Sequence, residues 1–466
     1  MLCPEDLTRR KFIGTACSAV GATGILSALA QLRMIGAVAA DAANSTYSNA
    51  ATDYKALVCV FLYGGNDANN VIIPTDSASY ALYASQRTAL AIPQANVLPL
   101  TPKTPDALGR SFGLHPSFVE LQKMFVAGNV AFLANTGSLA YPITLSQYNA
   151  GTNLPPQLFS HVDQQTQWQS SIPDQPFQTG WGGRLADMIS ALNANSQISM
   201  SVSVAGENSF QIGKTISQYA VSTSGAVSLT GSSGSTVNTS RFSAQQNLLS
   251  QTESNLFHAA FSNVTGSAVT DSSLLTSVLS GTTTLATKFP TTSLGSQLSM
   301  IAKLISAAPS LGLKRQVFFA SLGGFDTHTV ELATQGPLLT QVSQAMSAFY
   351  NATIELGVQN QVTTFTGSDF SRTYNTNGDG ADHGWGSHHI IMGGSVKGGD
   401  IYGSMPSLKL GGTDDTGRGR WIPSTSVDEY SATLATWFGV SATNLPTVLP
   451  NIGRFATADL GFMNGT

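Results

Sequence analysis

Apolar runs broken by glycine-rich polar turns set the rhythm of this chain. Residues 56–62 are almost continuously apolar, as expected of a central strand covered on both faces of a parallel sheet. Residues 130–133, 316–320 and 361–366 read as further short strands, and 198–204 alternates as one. Helical spacing runs between them: Phe118, Leu121 and Phe125; then Leu185, Met188, Ile189 and Leu192; then Leu338, Leu339, Val342, Met346, Phe349 and Ile354 over 337–356. A last helix carries Val427, Tyr430, Leu434 and Trp437 on its apolar side. Strands alternating with helices predict an α/β fold, a doubly wound and mostly parallel sheet flanked by helices. From about 206 to 310 the texture changes. Residues 224–240 are rich in Ser, Thr and Gly, and 245–261 and 295–307 look helical, which predicts a Ser/Thr-rich helical insertion in a single domain spanning 56–466.

The N-terminus reads as an address. Arg9 and Arg10 precede a weakly hydrophobic run to about Ala30, and Ala37-Val38-Ala39 supplies small residues for cleavage. Residues 1–39 are expected to be a twin-arginine signal peptide and 40–55 a polar linker. The run is too short and diluted for a stable membrane span. The expected partner in export is the twin-arginine translocase, and the expected location is periplasmic or extracellular.

Composition narrows the function. The net charge is −4, with no basic stripe and no interleaving of basic and aromatic residues, which argues against nucleic acid as a partner. Of the three cysteines only Cys59 lies beyond the leader, inside the apolar run 56–62, so a buried core thiol is expected.

Candidate chemistry sits where strands end. After 316–320, two glycines are followed by Asp326 and His328, two residues apart and so on one face of extended backbone. A carboxylate and an imidazole at the mouth of an α/β sheet are a starting point for a divalent-metal site. Asn66 and Asp67 follow the first strand, Asp369 and Arg372 follow 361–366, and Asp382, His383, His388 and His389 precede another apolar run. Four of the seven histidines lie between Phe325 and Ile390. Ser160, beside His161, is the candidate nucleophile, with Thr136 a weaker one; Arg184 or Arg372 would receive anionic charge through a planar fork.

Together with the leader, the segments Gly64-Gly65-Asn66-Asp67, Gly324-Phe325-Asp326-Thr327-His328, Ser368 to Thr373, Asp382 to His389 and Ser426 to Tyr430 resemble the exported bacterial family called domain of unknown function 1501. Its layout is similar to the alkaline phosphatase and sulfatase superfamily. That resemblance implies Asp67 as a first metal carboxylate, Asp326 and His328 as a later pair, Asp369 as the carboxylate after the next strand, and His383 or His388 as the final histidine. It also implies a divalent metal (zinc, calcium, magnesium or manganese), a small anionic ester substrate, and hydrolysis of phosphate or sulfate esters. Asp382 would orient His383 or His388. Phe370 stands where many phosphatases carry a histidine, and no sulfatase Cys/Ser motif is present. These departures motivate the alternative, a non-catalytic envelope binding protein on the same fold.

Overall fold

The structure is a computed structural model that describes residues 54–193, 196, 198–227, 234–251, 254–282 and 284–465. The expected leader, and the linker up to residue 53, lie outside the described residues. In chain order the strands are β1 (Lys55–Leu62), β2 (Ile72–Pro74), β3 (Leu98–Pro99), β4 (Phe112–Leu114), β5 (Val130–Gly137), β6 (Ser201–Ser203), β7 (Tyr219–Ser222), β8 (Gly225–Ala226), β9 (Arg315–Leu322), β10 (Val362–Ser368), β11 (Ser387–Met392), β12 (Ile401–Gly403) and β13 (Thr425–Ser426).

The main sheet runs β12-β5-β11-β10-β1-β9-β6-β7-β8, with β13 also paired to β5, and β2-β4-β3 form a small separate sheet. As its unbroken apolar run predicts, β1 is central, parallel to β10 on one side and β9 on the other. It is buried from Ala56 onward. β6 and β7 continue the parallel set, whereas β11 is antiparallel to both β10 and β5. The sheet is therefore mixed and mostly parallel, an α/β arrangement with helices packed on it.

Register decides what meets at the sheet edge. Leu62 pairs with Leu322 of β9 and with Ser368 of β10, so the three strands end level. The turns that follow them lie side by side. β11 runs the other way and starts at that edge, while Thr136 near the end of β5 pairs with Ser387 at its beginning. Four chain segments far apart in sequence thus open onto one mouth.

A fifth segment is brought there by packing. The helix His161–Ser170 is seated by Trp168, whose buried ring meets Phe61 edge-on at 5.6 Å between centroids. Beneath it, Gly367 of β10 has no room for a side chain, since a Cβ there would lie 2.5 Å from the Trp168 ring. Truncating a buried aromatic of this size costs about 3–5 kcal/mol, so this contact fixes where the helix begins.

Two expectations are corrected. The helix predicted from 337 starts at Glu331 and carries Pro337 inside it. Proline usually opens a helix, but here the earlier turn is held by tertiary partners: the Glu331 N–H donates to Asp379 O at 2.9 Å and its carboxyl meets Arg87. The segment 206–310 is not one insertion. β7 belongs to the main sheet, and the helix Ser293–Ala307 buries Leu294, Leu298, Ile301 and Ile305 against β9 and the helix Glu331–Glu355. That stripe at helical spacing requires a core partner. Among the described residues, 234–251 and 254–272 separate from the main unit, and they hold the helix Thr236–Leu249 and the first turns of Leu256–Ser280.

Candidate metal centre

At the mouth the backbone must pack closely before side chains can converge. Gly64, just after β1, has φ +112°, and a Cβ there would stand 2.5 Å from the Asp326 backbone nitrogen. Only glycine lets the two loops touch. Its N–H donates to Asp369 Oδ2 at 3.2 Å. The buried Arg372 then ties the loops together: Nε donates to Gly65 O at 3.0 Å, Nη1 to Ala381 O at 3.2 Å, and Nη2 to Gly64 O at 2.5 Å and Phe325 O at 3.1 Å. The same Nη2 contacts Asp326 Oδ1.

Around this clamp three imidazole nitrogens gather about Asp326. Asp326 Oδ1 lies 3.4 Å from His161 Nε2, 3.2 Å from His328 Nε2 and 3.5 Å from His383 Nε2. His328 Nε2 and His383 Nε2 are 2.9 Å apart. Ligand atoms bound at 2.0–2.1 Å to one tetrahedral ion lie about 3.3–3.4 Å from each other. The three distances from Asp326 match that, the His328–His383 contact is tighter, and His161, Asp326 and His383 are the set whose ligand atoms all lie within 4.8 Å of one another.

The far side of each ring is also engaged. His161 Nδ1 is 2.7 Å from Asp369 Oδ2, His328 Nδ1 is 3.4 Å from Asp382 Oδ1, and His383 Nδ1 is 2.6 Å from Phe159 O. A carbonyl only accepts, so His383 carries its proton on Nδ1 and presents a lone pair at Nε2. Carboxylate or carbonyl partners of this kind orient metal-binding histidines. His161 Nε2 is buried and makes no hydrogen bond among the described residues. The residues fit a bound cation.

Electrostatics follow from these contacts. The hydrogen bond to Asp369 raises the His161 pKa against the effect of burial. Burial lowers that of His383. For Asp326 burial opposes ionisation, but the hydrogen bond and charge of Arg372 outweigh it and hold the carboxyl below its usual value. Phe370 lines the site, its ring centroid 4.8 Å from His161 and 4.7 Å from His383.

A family model described as "Protein of unknown function (DUF1501)" matches residues 54–418. The chain belongs to the DUF1501 family. Asp326 and the three histidines around it fall within the matched DUF1501 region. No curated protein matches the chain. Among solved structures, Ps i-CgsB in complex with k-i-k-neocarrahexaose is similar at 8% identity over 86% of this chain and 77% of that one, with a TM-score of 0.34. Ps i-CgsB alone is similar at 8% identity over 86% and 76%, with a TM-score of 0.35. Likeness at that level carries no argument about this DUF1501 chain.

Of the residues expected from sequence, Asp326, His328 and His383 meet. Asp369 stands behind His161 rather than among the converging atoms, its Oδ2 also receiving Gln165 Nε2 at 2.8 Å. Asp382 orients His328, not His383 or His388, and pairs with Arg418. Asp67 is elsewhere, fully buried with Arg87 and accepting from Asn69 N at 3.0 Å and Asn69 Nδ2 at 2.8 Å. His388 is buried on β11, where its Nδ1 accepts from Asn135 N at 3.0 Å. Neighbouring strand residues face opposite ways, and burial pushes its pKa down to about 4. Arg184 is buried and spends its donors on Val448 O, Thr179 O and Ser170 O. Arg372 is likewise spent, on the loops. Ser160 is the N-cap of its helix and its Oγ donates to Asp163 at 2.5 Å, while Thr136 is buried on β5.

His161 was not among the expected ligands. The available signal was its spacing from Gln165: one helical turn apart, the two share a face, and both reach Asp369.

Proposed function

We propose that this chain is an exported, metal-dependent hydrolase of phosphate or sulfate esters whose ion is held by His161, His328, His383 and Asp326. The observation that supports the reading is the convergence of three Nε2 atoms on Asp326 Oδ1, with every Nδ1 engaged behind. Three imidazoles and one carboxylate suit zinc or another first-row transition ion better than calcium or magnesium, which favour oxygen ligands. Such an ion supplies Lewis-acid activation of an ester oxygen and of water.

The chain's own groups do the positioning. Asp369, Asp382 and the Phe159 carbonyl hold the three rings, and Arg372 holds the loops and keeps Asp326 anionic. The Asp326 and His328 side chains are 50% and 45% exposed, which leaves the site open to a solute. With Ser160 bonded to Asp163 and Thr136 buried, water is the nucleophile this arrangement favours. The ester class follows from the sequence resemblance.

A second reading, a non-catalytic metal-binding envelope protein, is favoured by Phe370, whose ring occupies the flank of His161 and His383 where a second set of ligands would be needed. Metal analysis of purified protein, with turnover of p-nitrophenyl phosphate and sulfate by wild type and His161→Ala, separates the readings. Stoichiometric metal and turnover lost in the variant support the hydrolase. Metal without turnover supports the binding protein, and absence of metal after loading removes both.

A further inference from the structure

We infer that Arg420 is the anion-recognition residue beside this centre, presenting its guanidinium fork to a tetrahedral oxyanion, phosphate or sulfate. The inference takes its position from the metal-centre reading but stands on a separate group. Neither arginine expected from sequence is available for the task. Arg372 has its donors spread over four carbonyls and Asp326, and Arg184 has its own spread over three carbonyls. Arg87 is buried between Asp67 and Glu331 and also serves Thr373 O and Tyr374 O. Arg418 is engaged with Asp382 and reaches Thr376 O at 3.3 Å.

Arg420 differs from all of these. Its Nε donates to the carbonyl of His383 itself at 2.7 Å, and its guanidinium lies over the Phe159 ring at 4.8 Å. Phe159 is also the residue whose carbonyl accepts from His383 Nδ1. The guanidinium is therefore anchored at one edge and one face to the two residues that set the His383 ring. Its Nη1 and Nη2 make no hydrogen bond or ion pair among the described residues. A half-buried planar fork, stacked and fixed through Nε, loses little freedom on taking two oxygens of an oxyanion, and the paired N–H geometry matches them. Phe159 holds φ +71°, a left-handed conformation rare outside glycine. Strain of that kind persists where the surroundings over-determine it, often at ligand sites.

The test is calorimetric titration of the full chain, zinc-loaded and chelator-treated, with inorganic phosphate and with sulfate. Arg420→Gln should weaken anion binding roughly tenfold to a hundredfold, the range for hydrogen bonds to charged groups. Arg420→Lys, which keeps the charge without the fork, should fall between. Zinc content should not change in either. Equal anion affinity in wild type and both variants, or no anion binding by wild type at millimolar concentration, overturns the inference. Should Arg420→Gln fail to fold, a crystal structure of wild type soaked in phosphate decides: density against the Arg420 Nη atoms supports the assignment and density elsewhere overturns it. A wild type that binds phosphate through Arg420 but takes up no zinc would remove the hydrolase reading and leave this one standing.

Discussion

His328 and His383, fifty-five positions apart in sequence, meet nitrogen to nitrogen, Nε2 against Nε2, at 2.9 Å. His383 commits its Nδ1 proton to Phe159 O, so its facing nitrogen is a lone pair, and a cation shared with His328 satisfies both rings. Removing a ligating ring, of this pair or of His161, should therefore cost metal rather than fold. His383→Ala and His161→Ala should each lower zinc affinity more than the 10–100-fold typical when only an orienting partner is lost. Competition with a chromophoric chelator measures this, and unchanged zinc uptake in either variant would take that residue out of the site.

Asp369 should behave as an orienting partner. Asp369→Asn removes the charge that faces His161 Nδ1 while keeping the shape, so zinc affinity should fall about 10–100-fold. Asp326→Asn, which alters an atom within 3.5 Å of all three rings, should cost more. The same titration reads both, and an Asp369→Asn loss equal to or larger than that of Asp326→Asn would reverse the two assignments.

Zinc should also stabilise the fold, because its ligands come from three segments far apart in the chain and a ligand bound only by the native state adds RT ln(1 + [L]/Kd), about 2.7 kcal/mol at a hundredfold excess over Kd. Thermal unfolding with added zinc and with chelator should differ for wild type and coincide for His161→Ala. A melting temperature indifferent to zinc in wild type would count against the centre.

Arg372 is expected to matter to stability as well as to metal. Its guanidinium is fully buried and satisfies Gly64 O, Gly65 O, Phe325 O, Ala381 O and Asp326. Removing it leaves buried carbonyls without their donor, at about 1–3 kcal/mol for each group left unsatisfied. Arg372→Ala should unfold at markedly lower denaturant even in chelator, and a midpoint equal to that of wild type would mean that the clamp is not needed.

Glu331 gives the stability a pH signature. Burial, then the neighbouring Asp67 charge, push its carboxyl up to about 9, against about 4.3 for an unfolded chain. Between those values the native state holds a proton that the unfolded state has lost, so this contribution is complete below about pH 4.3 and disappears as pH rises through about 9. Glu331→Gln retains an acceptor for Arg87 and a donor toward Asp67 but cannot ionise. Its stability, followed by urea unfolding from pH 5 to 10, should fall less steeply with pH than that of wild type. Parallel slopes would show that Glu331 does not titrate in this range.

The sequence by itself determined the elements and much of the site's vocabulary. The unbroken apolar run of β1 marked it as a central strand, because only a strand covered on both faces tolerates such a run. Strand ends marked Asp326, His328 and His383, since turns after parallel strands are where polar side chains can leave the core. Position among those polar residues was not legible. Asp67, His388 and Arg184 carry the right chemistry, but partners distant in the chain draw them inside: Arg87 for Asp67, the Asn135 amide for His388, and carbonyls as far off as Val448 for Arg184. His161 reaches Asp326 only because Trp168, one helix length on, packs against Phe61 and over Gly367. Periodicity along one segment reports which face is apolar and not which other segment lies opposite. Which carboxylates and imidazoles share a point in space was decided by strand register and by the seating of one helix, and these are contacts that exist only in the folded chain.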